Sequence, residues 1–226
     1  HLKPLVANLE KSEASKYAFY DAGITAYNHI GDSLMAERCF EIAKGFAKYC
    51  HVEDYLLTLK RREVMLNDQY RYEEALSLAK EILEYEDELA SLRQLLVESD
   101  DIVSISKGRA LSQCGQVYAY LRDTQAEEYF KQALTQFDEK STDYNITLSY
   151  FLHHYIDMGN REGYEKYAPQ YFGGHDNVWE QFIYLKDMTE ADQKLQSFKF
   201  AFYVYIKALY IFYVDELNSE KRRNLL

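Results

Sequence analysis

Residues 20–43 read YDAGITAYNHIGDSLMAERCFEIA and predict two amphipathic helices joined by a tight turn. Apolar residues recur every three or four positions on both sides of the turn, which is the spacing of a stripe along one helix face. Gly31 and Asp32 favour the turn itself. Ala36 is small enough for the second helix to approach the first closely, and Phe40 fills the space beside it. We therefore expect a helical hairpin.

The same pattern occurs three more times along the chain. Each copy has a large residue, a tyrosine or leucine seven positions later, a turn, and then small and large residues at helical spacing. One hairpin cannot bury both of its faces, so we expect neighbouring hairpins to stack. The repeated positions are Leu59, Leu66, Asp68, Gln69, Tyr70, Ala75, Ala79 and Ile82; Leu111, Gly115, Tyr118, Asp123, Ala126, Phe130 and Ala133; and, in a degraded form, Leu148, Tyr155, Gly159, Asn160, Tyr164, Ala168 and Tyr171.

These positions resemble the tetratricopeptide repeat (TPR) family over roughly residues 12–173. The resemblance implies an all-α fold, a right-handed superhelix of stacked antiparallel helical hairpins. The chain lacks the family's signature tryptophan, and only Pro169 matches the proline that usually closes a repeat. Equivalent positions are 39, 51 and 38 residues apart, against about 34 in the family. The alternative is a generic helical bundle. The matched residues are Tyr20, Tyr27, Gly31, Ala36, Phe40 and Ala43, and then Gly115, Tyr118, Ala126, Phe130 and Ala133.

We predict a single TPR-like domain over residues 1–226. A short leading helix is expected over 3–10, and the second helix of repeat two is expected to continue to Glu98. Gly173-Gly174 is the only glycine pair and the candidate hinge. The predicted repeats cover about 13–50, 51–98, 103–139 and 143–172, and the C-terminal capping helices lie within 177–220.

The last predicted helix, near 190–220, is long and aromatic, with Asp187 or Thr189 as its N-cap. A helix that is apolar all round must be covered on most sides. The fourth repeat and the helix at 177–187 can cover it, or it forms an interface with a second copy or with a domain outside this chain. A start at His1 without methionine favours a fragment of a larger protein. One apolar face carries Phe198, Phe202, Tyr205, Leu209 and Phe212, and another carries Phe200, Tyr203, Val204, Ile211 and Val214.

The composition excludes several classes of protein. The 226 residues include 9 glycines and 2 prolines, and this low content of helix breakers disfavours a turn-rich all-β fold. A formal net charge of −11 repels phosphate, so we expect no direct binding of nucleic acid. The apolar stretch 198–214 carries two lysines and is shorter than a bilayer span of about 20 residues, so we expect no membrane insertion. Three cysteines without a CxxC pair favour reduced thiols and a cytoplasmic protein.

The sequence contains no recognisable catalytic or metal-binding motif. Patterns for a P-loop, a dinucleotide-binding loop, a nucleophile elbow and a zinc-protease helix are absent. His153 and His154 are adjacent, and neighbouring helical residues point about 100° apart, so the two cannot bind one metal ion together. We therefore predict no enzymatic activity, no cofactor and no metal site.

The resemblance implies that the first helix of each hairpin lines a concave groove, in which an extended peptide or a partner helix binds. Asparagine and glutamine suit this groove because each can donate to and accept from a peptide backbone. The basic residues at 60–62 and Arg109 suit a peptide carboxylate. The Lys/Asn pairing of the family's carboxylate-clamp members is not reproduced, because Asp21 and Thr25 occupy those places. The candidate groove residues are Asn28, Lys60, Asn67, Arg109, Ser112, Gln116, Tyr120 and His153, with Asp21, Thr25, His29, Val64, Ser149 and Ile156 as further candidates.

The 22 tyrosines favour either of two roles. Most lie at stripe positions, where the ring packs and the hydroxyl reaches the edge of the core. Tyrosine also gives a large contact area at low entropic cost, which suits recognition. Tyr55 and Tyr120 are the two expected to face a groove.

The leading hypothesis is a scaffold or adaptor module that binds a protein or peptide and has no catalytic activity. The alternative is a ligand-sensing regulatory region of a larger bacterial signalling protein, whose output domain (a diguanylate cyclase, a kinase or a DNA-binding domain) lies outside this chain. An enzyme, and a scaffold that forms a homodimer through the C-terminal helix, are the remaining hypotheses.

Overall fold

The computed structural model describes residues 13–46, 52–95, 100–188 and 196–214, and the regular elements in these ranges are all α-helices. The all-α prediction is confirmed. The chain divides into two compact units, residues 1–99 and 100–226. The helices of the first unit are α1 (Glu13–His29), α2 (Ser33–Phe46), α3 (Val52–Asp68) and α4 (Tyr72–Leu95). Those of the second are α5 (Asp100–Tyr120), α6 (Gln125–Leu134), α7 (Thr142–Asp157), α8 (Arg161–Tyr171), α9 (Val178–Lys186) and α10 (Gln196–Phe212).

Consecutive helices pair as antiparallel hairpins in both units. In the first unit α1 packs on α2 and α3 packs on α4, and both helices of the first hairpin contact α3. In the second unit α5 packs on α6 and α7 packs on α8, and both helices of the earlier hairpin contact α7. The final helix, α10, packs on α7 and α9. The first helices of successive hairpins are therefore neighbours within each unit.

The four hairpin turns share one hydrogen-bonding arrangement. Just after the first helix of each hairpin comes a residue with positive φ. The N–H of the next residue donates to the carbonyl oxygen five positions earlier, which is the Schellman motif. Glycine fills the positive-φ position in two turns, but Tyr70 (φ 61°) and Arg122 (φ 56°) fill it in the others. The bonds are Asp32 N to Tyr27 O (2.9 Å), Arg71 N to Leu66 O (2.9 Å), Asp123 N to Tyr118 O (2.9 Å) and Asn160 N to Tyr155 O (2.8 Å).

Small residues on the helix faces allow the two helices of a hairpin to approach closely. Gly115 of α5 faces Phe130 of α6, and a methyl group at position 115 would lie 2.9 Å from the phenylalanine ring. Ala126, Phe130 and Ala133 are all completely buried. The repeated small and large residues of the sequence pattern therefore form the interior of the hairpins.

Several predicted elements have different bounds in the structure. The expected leading helix at 3–10 lies outside the described residues, as does Thr189. The helix α4 extends to Leu95, and the predicted end of this helix at Glu98 lies outside the described residues. Asp187 is the C-cap of α9 rather than an N-cap, because its own N–H bonds back to the carbonyl oxygen of Ile183. At Gly173 and Gly174 both φ angles are positive.

The apolar surface of α10 is only partly covered. Tyr205 is 2% exposed, and it belongs to a buried stripe with Ala201 and Ala208 that allows close packing. Phe202 is 43% exposed, so the predicted face that contains both Phe202 and Tyr205 is divided between core and surface. Exposed apolar residues one turn apart form what we call the α10 ridge, which consists of Phe202, Ile206 and Tyr210.

Among the helices within the described ranges, none combines the length and the apolar character that crossing a membrane requires.

Candidate functional site

The predicted groove residues lie in both compact units. The first unit contains Asn28, Lys60 and Asn67. The second contains Arg109, Ser112, Gln116, Tyr120 and His153.

A polar seam joins α1 to α3 in the first unit. The Thr58 hydroxyl is buried and donates to a carboxylate oxygen of Asp21 at 2.8 Å. Asp21 also forms an ion pair with Arg61, and the Tyr17 hydroxyl is hydrogen-bonded to Thr58. The seam is therefore a network internal to the protein, in which the Asp21 carboxylate has both a charged and a neutral partner.

The three predicted groove residues of the first unit all contact acidic side chains. The Lys60 ammonium lies 2.9 Å from a carboxylate oxygen of Glu86, a residue that is only 3% exposed. Asn28 donates to Asp68 at 2.7 Å. Asn67 donates to Glu63 at 2.5 Å, and its own side-chain oxygen has no hydrogen-bond partner among the described residues. A carboxylate ligand at Lys60 would therefore compete with an internal carboxylate.

A small cleft of about 260 Å³ lies between α2, α3 and α4. It includes Tyr55, one of the two tyrosines expected to face a groove. The Arg62 guanidinium lies 4.1 Å from the centre of the Phe40 ring, within the range of a cation–π contact. Arg62 also pairs with Glu41 at 3.3 Å. The lining carries both signs of charge, and most of its charged groups are on the rim.

In the second unit, two predicted groove residues join α5 to α7. The Arg109 guanidinium donates two parallel hydrogen bonds to Asp143, at 2.8 and 2.9 Å, and these raise the pKa of Arg109. The buried Ser112 hydroxyl accepts a hydrogen bond from Thr147 at 3.0 Å. On the same helix Gln116 is half-buried and Tyr120 is 47% exposed. The Arg109 side chain is 57% exposed in spite of its pairing, so the accessible groove candidates of α5 are Arg109 and Tyr120, with Gln116 accessible in part.

His153 lies between α7 and α10 with its ring centre 5.1 Å from that of Tyr203. Its Nε2 atom has no hydrogen-bond partner among the described residues. The pKa of His153 is lowered to about 4, first by burial and then by the neighbouring Lys207, while Asp157 opposes the shift. Lys207 and Asp157 are themselves an ion pair at 2.6 Å. The imidazole is therefore neutral at physiological pH and serves as a packing group.

A cleft in the second unit lies between α7, the end of α8, α9 and the start of α10. Its volume is about 500 Å³. We call it the aromatic cleft because five of its described lining residues are tyrosine or phenylalanine. Two residues singled out in the sequence line it, the groove candidate Ser149 and the interface candidate Phe198. The lining consists of Thr142, Asn145, Ile146, Ser149, Tyr150, Tyr171, Tyr184, Met188, Ser197, Phe198, Phe200 and Ala201.

One face of α7 forms the floor of the aromatic cleft, since its five lining residues recur at three and four positions along the helix. The helix begins at an N-cap, Ser141, whose side chain accepts from the N–H of Tyr144. The Ser149 hydroxyl donates to the carbonyl oxygen of Ile146 at 2.7 Å. Burial raises the pKa of Tyr171 to about 12, although a hydrogen bond with Ser149 opposes the shift. The phenol is therefore neutral at physiological pH.

The turn before α9 positions Tyr184 on the wall of the cleft. Gly173 has φ 65°, and a methyl group there would lie 2.9 Å from the Tyr184 ring, so both observations favour glycine at this position. The buried side chain of Gln181 donates to the carbonyl oxygen of His175 at 3.1 Å and accepts from the Tyr164 hydroxyl at 3.2 Å. Asn177 caps α9 by accepting from two backbone N–H groups. These bonds fix α9 relative to α8.

Polar contacts at the far end of α10 fix the opposite wall. The Tyr213 hydroxyl donates to Glu165 at 2.9 Å, and the Arg161 guanidinium lies 4.3 Å from the centre of the Tyr213 ring. Near the cleft, Phe198 and Phe202 stack with ring centres 6.0 Å apart. The walls therefore come from helices that are tied to the rest of the second unit at several points.

The described lining of the aromatic cleft contains no aspartate, glutamate, histidine, lysine, arginine or cysteine. Such a surface suits the burial of an uncharged apolar group. Within the described ranges, no group of three or more histidine, cysteine, aspartate or glutamate residues is arranged to hold a metal ion.

Sequence reasoning missed most of the cleft because its walls come from segments that are distant along the chain. The one available signal was the apolar and small polar face of α7, which contains Asn145 and Ser149. The hinge at the glycine pair 173–174 stays a prediction, and the structure adds that Gly173 makes space for a wall residue.

Comparison of the chain with family models, with curated proteins and with solved structures gives no match in any of the three.

Proposed function

We propose that this chain is a protein- or peptide-binding module of TPR-like architecture without catalytic activity of its own. The observation that carries the proposal is the repetition of one hairpin, with the same Schellman turn four times and with the first helices of successive hairpins in contact within each unit. The sequence resemblance to TPR proteins implies a ligand surface on the first helices of the hairpins, and the contact between successive first helices within each unit supports the proposal.

The second unit offers the better surface for a ligand. On α5 the side chains of Gln116 and Tyr120 are at least partly accessible, and Asn145 of α7 is exposed. Amide side chains can pair with both groups of a peptide backbone. The aromatic cleft lies beside Asn145, so a peptide on this surface would have an apolar site within reach.

Selection of peptides from a display library of random sequences tests the proposal. The full chain is immobilised, and enriched peptides are synthesised and titrated by calorimetry. We expect enrichment over an unrelated helical protein, and at least about tenfold weaker binding when Gln116→Ala and Asn145→Ala are combined, equivalent to about 1.4 kcal/mol. The matched control is Gln132→Ala on α6, an exposed glutamine that bonds within its own helix to Glu128.

Two outcomes would contradict the proposal. One is the absence of any peptide enriched above the unrelated helical protein. The other is equal affinity of the wild type, the double variant and the Gln132→Ala control, which would mean that binding does not use the first-helix surface.

One observation favours a second candidate, the ligand-sensing region of a larger signalling protein. The start of α10 lines the aromatic cleft, while the α10 ridge on another side of the helix is exposed. A ligand in the cleft would contact a helix whose other surface is accessible to a further domain. Hydrogen exchange of residues 196–212 with and without a selected peptide tests this candidate, and equal protection in both samples would count against it.

A further inference from the structure

We infer that the aromatic cleft is the anchor site for an uncharged aromatic side chain of the bound peptide. This inference rests on the proposed function and names the chemistry of the residue that the peptide must present.

The described lining of the cleft carries no charged side chain, and this determines which ligand side chains we expect it to accept. A carboxylate or an ammonium group placed there would lose its hydration, and the described lining offers no opposite charge to replace it. The lining does carry hydroxyl and amide groups, but these are few. We therefore expect the cleft to discriminate against aspartate, glutamate and lysine on the ligand.

The rings in the lining favour an aromatic ligand group over an aliphatic one. Tyr171 and Tyr184 approach the cleft from one side, and Phe198 and Phe200 from α10. Aromatic pairs in offset or edge-to-face arrangements gain about 0.5–1.5 kcal/mol beyond the burial of their area. The volume of about 500 Å³ is within the usual range of ligand pockets and exceeds what a single small aliphatic group would fill.

Polar residues at the rim can form hydrogen bonds with the peptide backbone next to the anchored ring. Thr142, Asn145 and Ser197 line the cleft and are exposed. Asn145 donates to the carbonyl oxygen of Ser141 at 3.1 Å, so its remaining acceptor is the amide oxygen, which suits a peptide N–H. An apolar interior with a few polar groups at the entrance is the usual composition of a site that binds one side chain of a peptide.

The test uses three ring-matched small molecules as probes: p-cresol, 4-methylbenzoate and 4-methylbenzylammonium. The full chain is labelled with ¹³C at the methionine methyl groups, and the four methionines give four signals. Met188 lines the cleft, whereas Met35 and Met65 belong to the first unit. We expect p-cresol to shift the Met188 signal saturably, with at least about tenfold weaker binding of both charged probes and no shift at Met35 or Met65.

A pair of variants on α10 connects the signal to the cleft. Ser197→Trp places a large side chain at the exposed rim of the cleft and should weaken p-cresol binding by at least about tenfold. Lys199→Trp adds the same side chain to the same helix at an exposed position that does not line the cleft, and it should bind p-cresol as the wild type does. Circular dichroism on both variants verifies that they are folded.

The outcomes separate this inference from the proposed function. Equal binding of neutral and charged probes, or full binding by Ser197→Trp, would overturn the anchor site. Selected peptides that bind without an aromatic residue and are not displaced by p-cresol would overturn the anchor site and leave the peptide-binding module intact. Binding of p-cresol with no selected peptide would overturn the proposed function and, with it, the peptide as the occupant of the cleft.

Discussion

The two compact units form similar hairpins but differ in what their polar and aromatic residues contact. In the first unit, charged groups on neighbouring helices pair with one another: Asp21 of α1 pairs with Arg61 of α3, and Lys60 of α3 pairs with Glu86 of α4. In the second, α7 presents small polar and apolar residues to an open cleft with aromatic walls. The difference shows that charged residues on a helix face do not by themselves mark a ligand site, because partners within the chain can neutralise them.

The largest expected effect comes from removing the ring that fills each hairpin. Phe40 and Phe130 occupy equivalent repeat positions and are buried in the first and second unit respectively. We expect Phe40→Ala and Phe130→Ala each to lower the free energy of unfolding of its own unit by about 3–5 kcal/mol, through lost burial and the cavity left behind. Urea unfolding followed by circular dichroism measures both.

Each variant serves as the control for the other. If the units unfold separately, Phe40→Ala shifts one transition and Phe130→Ala the other. A loss below about 1 kcal/mol for either variant would show that the ring is not part of a packed hairpin interior.

Acid should destabilise the second unit through His153. The pKa of His153 is about 4 in the folded protein, against an ordinary value of 6.5. Between these values the unfolded chain binds a proton that the folded chain does not, so stability falls as the pH falls through this window, by up to about 3 kcal/mol. Unfolding measured from pH 7.5 to pH 4.5 should show this slope.

The variant His153→Phe keeps an aromatic ring against Tyr203 and removes the titrating group. It should reduce the slope without abolishing it, since burial also lowers the pKa of His154. The pKa values of Glu127 and Glu165 are lowered from 4.5, so the stabilisation that they contribute is lost as the pH falls through about 4.5 and below, at the acid end of the measured range. An unchanged slope in the variant would refute the assignment.

The hydrogen bond of Thr58 to a carboxylate and that of Thr147 to a neutral hydroxyl should contribute differently to stability. Thr58→Val removes the donor to Asp21 in the first unit, and we expect a loss of about 2 kcal/mol because a buried carboxylate loses a partner. Thr147→Val removes the donor to the neutral Ser112 hydroxyl in the second, and we expect a loss of about 1 kcal/mol. Thermal unfolding measures the loss of stability in each variant. Equal losses would contradict the expected difference between a charged and a neutral acceptor.

The smallest expected effect is a gain in stability at the two turns with non-glycine residues. Tyr70 and Arg122 adopt positive φ, which costs a side-chain-bearing residue about 1–2 kcal/mol. Tyr70→Gly and Arg122→Gly should each stabilise the protein by about 1 kcal/mol or less, since glycine also loses more chain entropy on folding. Differential scanning calorimetry should show a higher melting temperature. A lower one in both variants would indicate that the side chains contribute more than the strain removes.

The hairpins were predictable from the sequence because their determinants are local. The spacing of Ala126, Phe130 and Ala133 specifies a helix face that fits against Gly115, and all four lie within one repeat. The turns were less visible where Tyr70 and Arg122 replace glycine, since neither residue signals a positive φ. Here the hydrogen bonds of the Schellman motif outweigh the preference of the individual residue.

The site was predictable only in part because its contacts span long distances along the chain. The pairing of Lys60 with Glu86 joins two helices, and no feature of the sequence indicates which acidic residue neutralises which base. The aromatic cleft brings α7 together with α10, whose buried stripe depends on packing rather than on its own pattern. Ser149 and Phe198 were singled out for separate reasons and line the same cleft.

The α10 ridge and the net charge of −11 act in opposite directions on the protein as a colloid. At low ionic strength, like charge keeps neighbouring molecules apart over a distance of about 10 Å or more. Added salt shortens the range of this repulsion and strengthens contacts between apolar surfaces. The solubility of the protein should therefore fall as the salt concentration is raised. Dilute buffer of low ionic strength is therefore the better medium for storage and concentration.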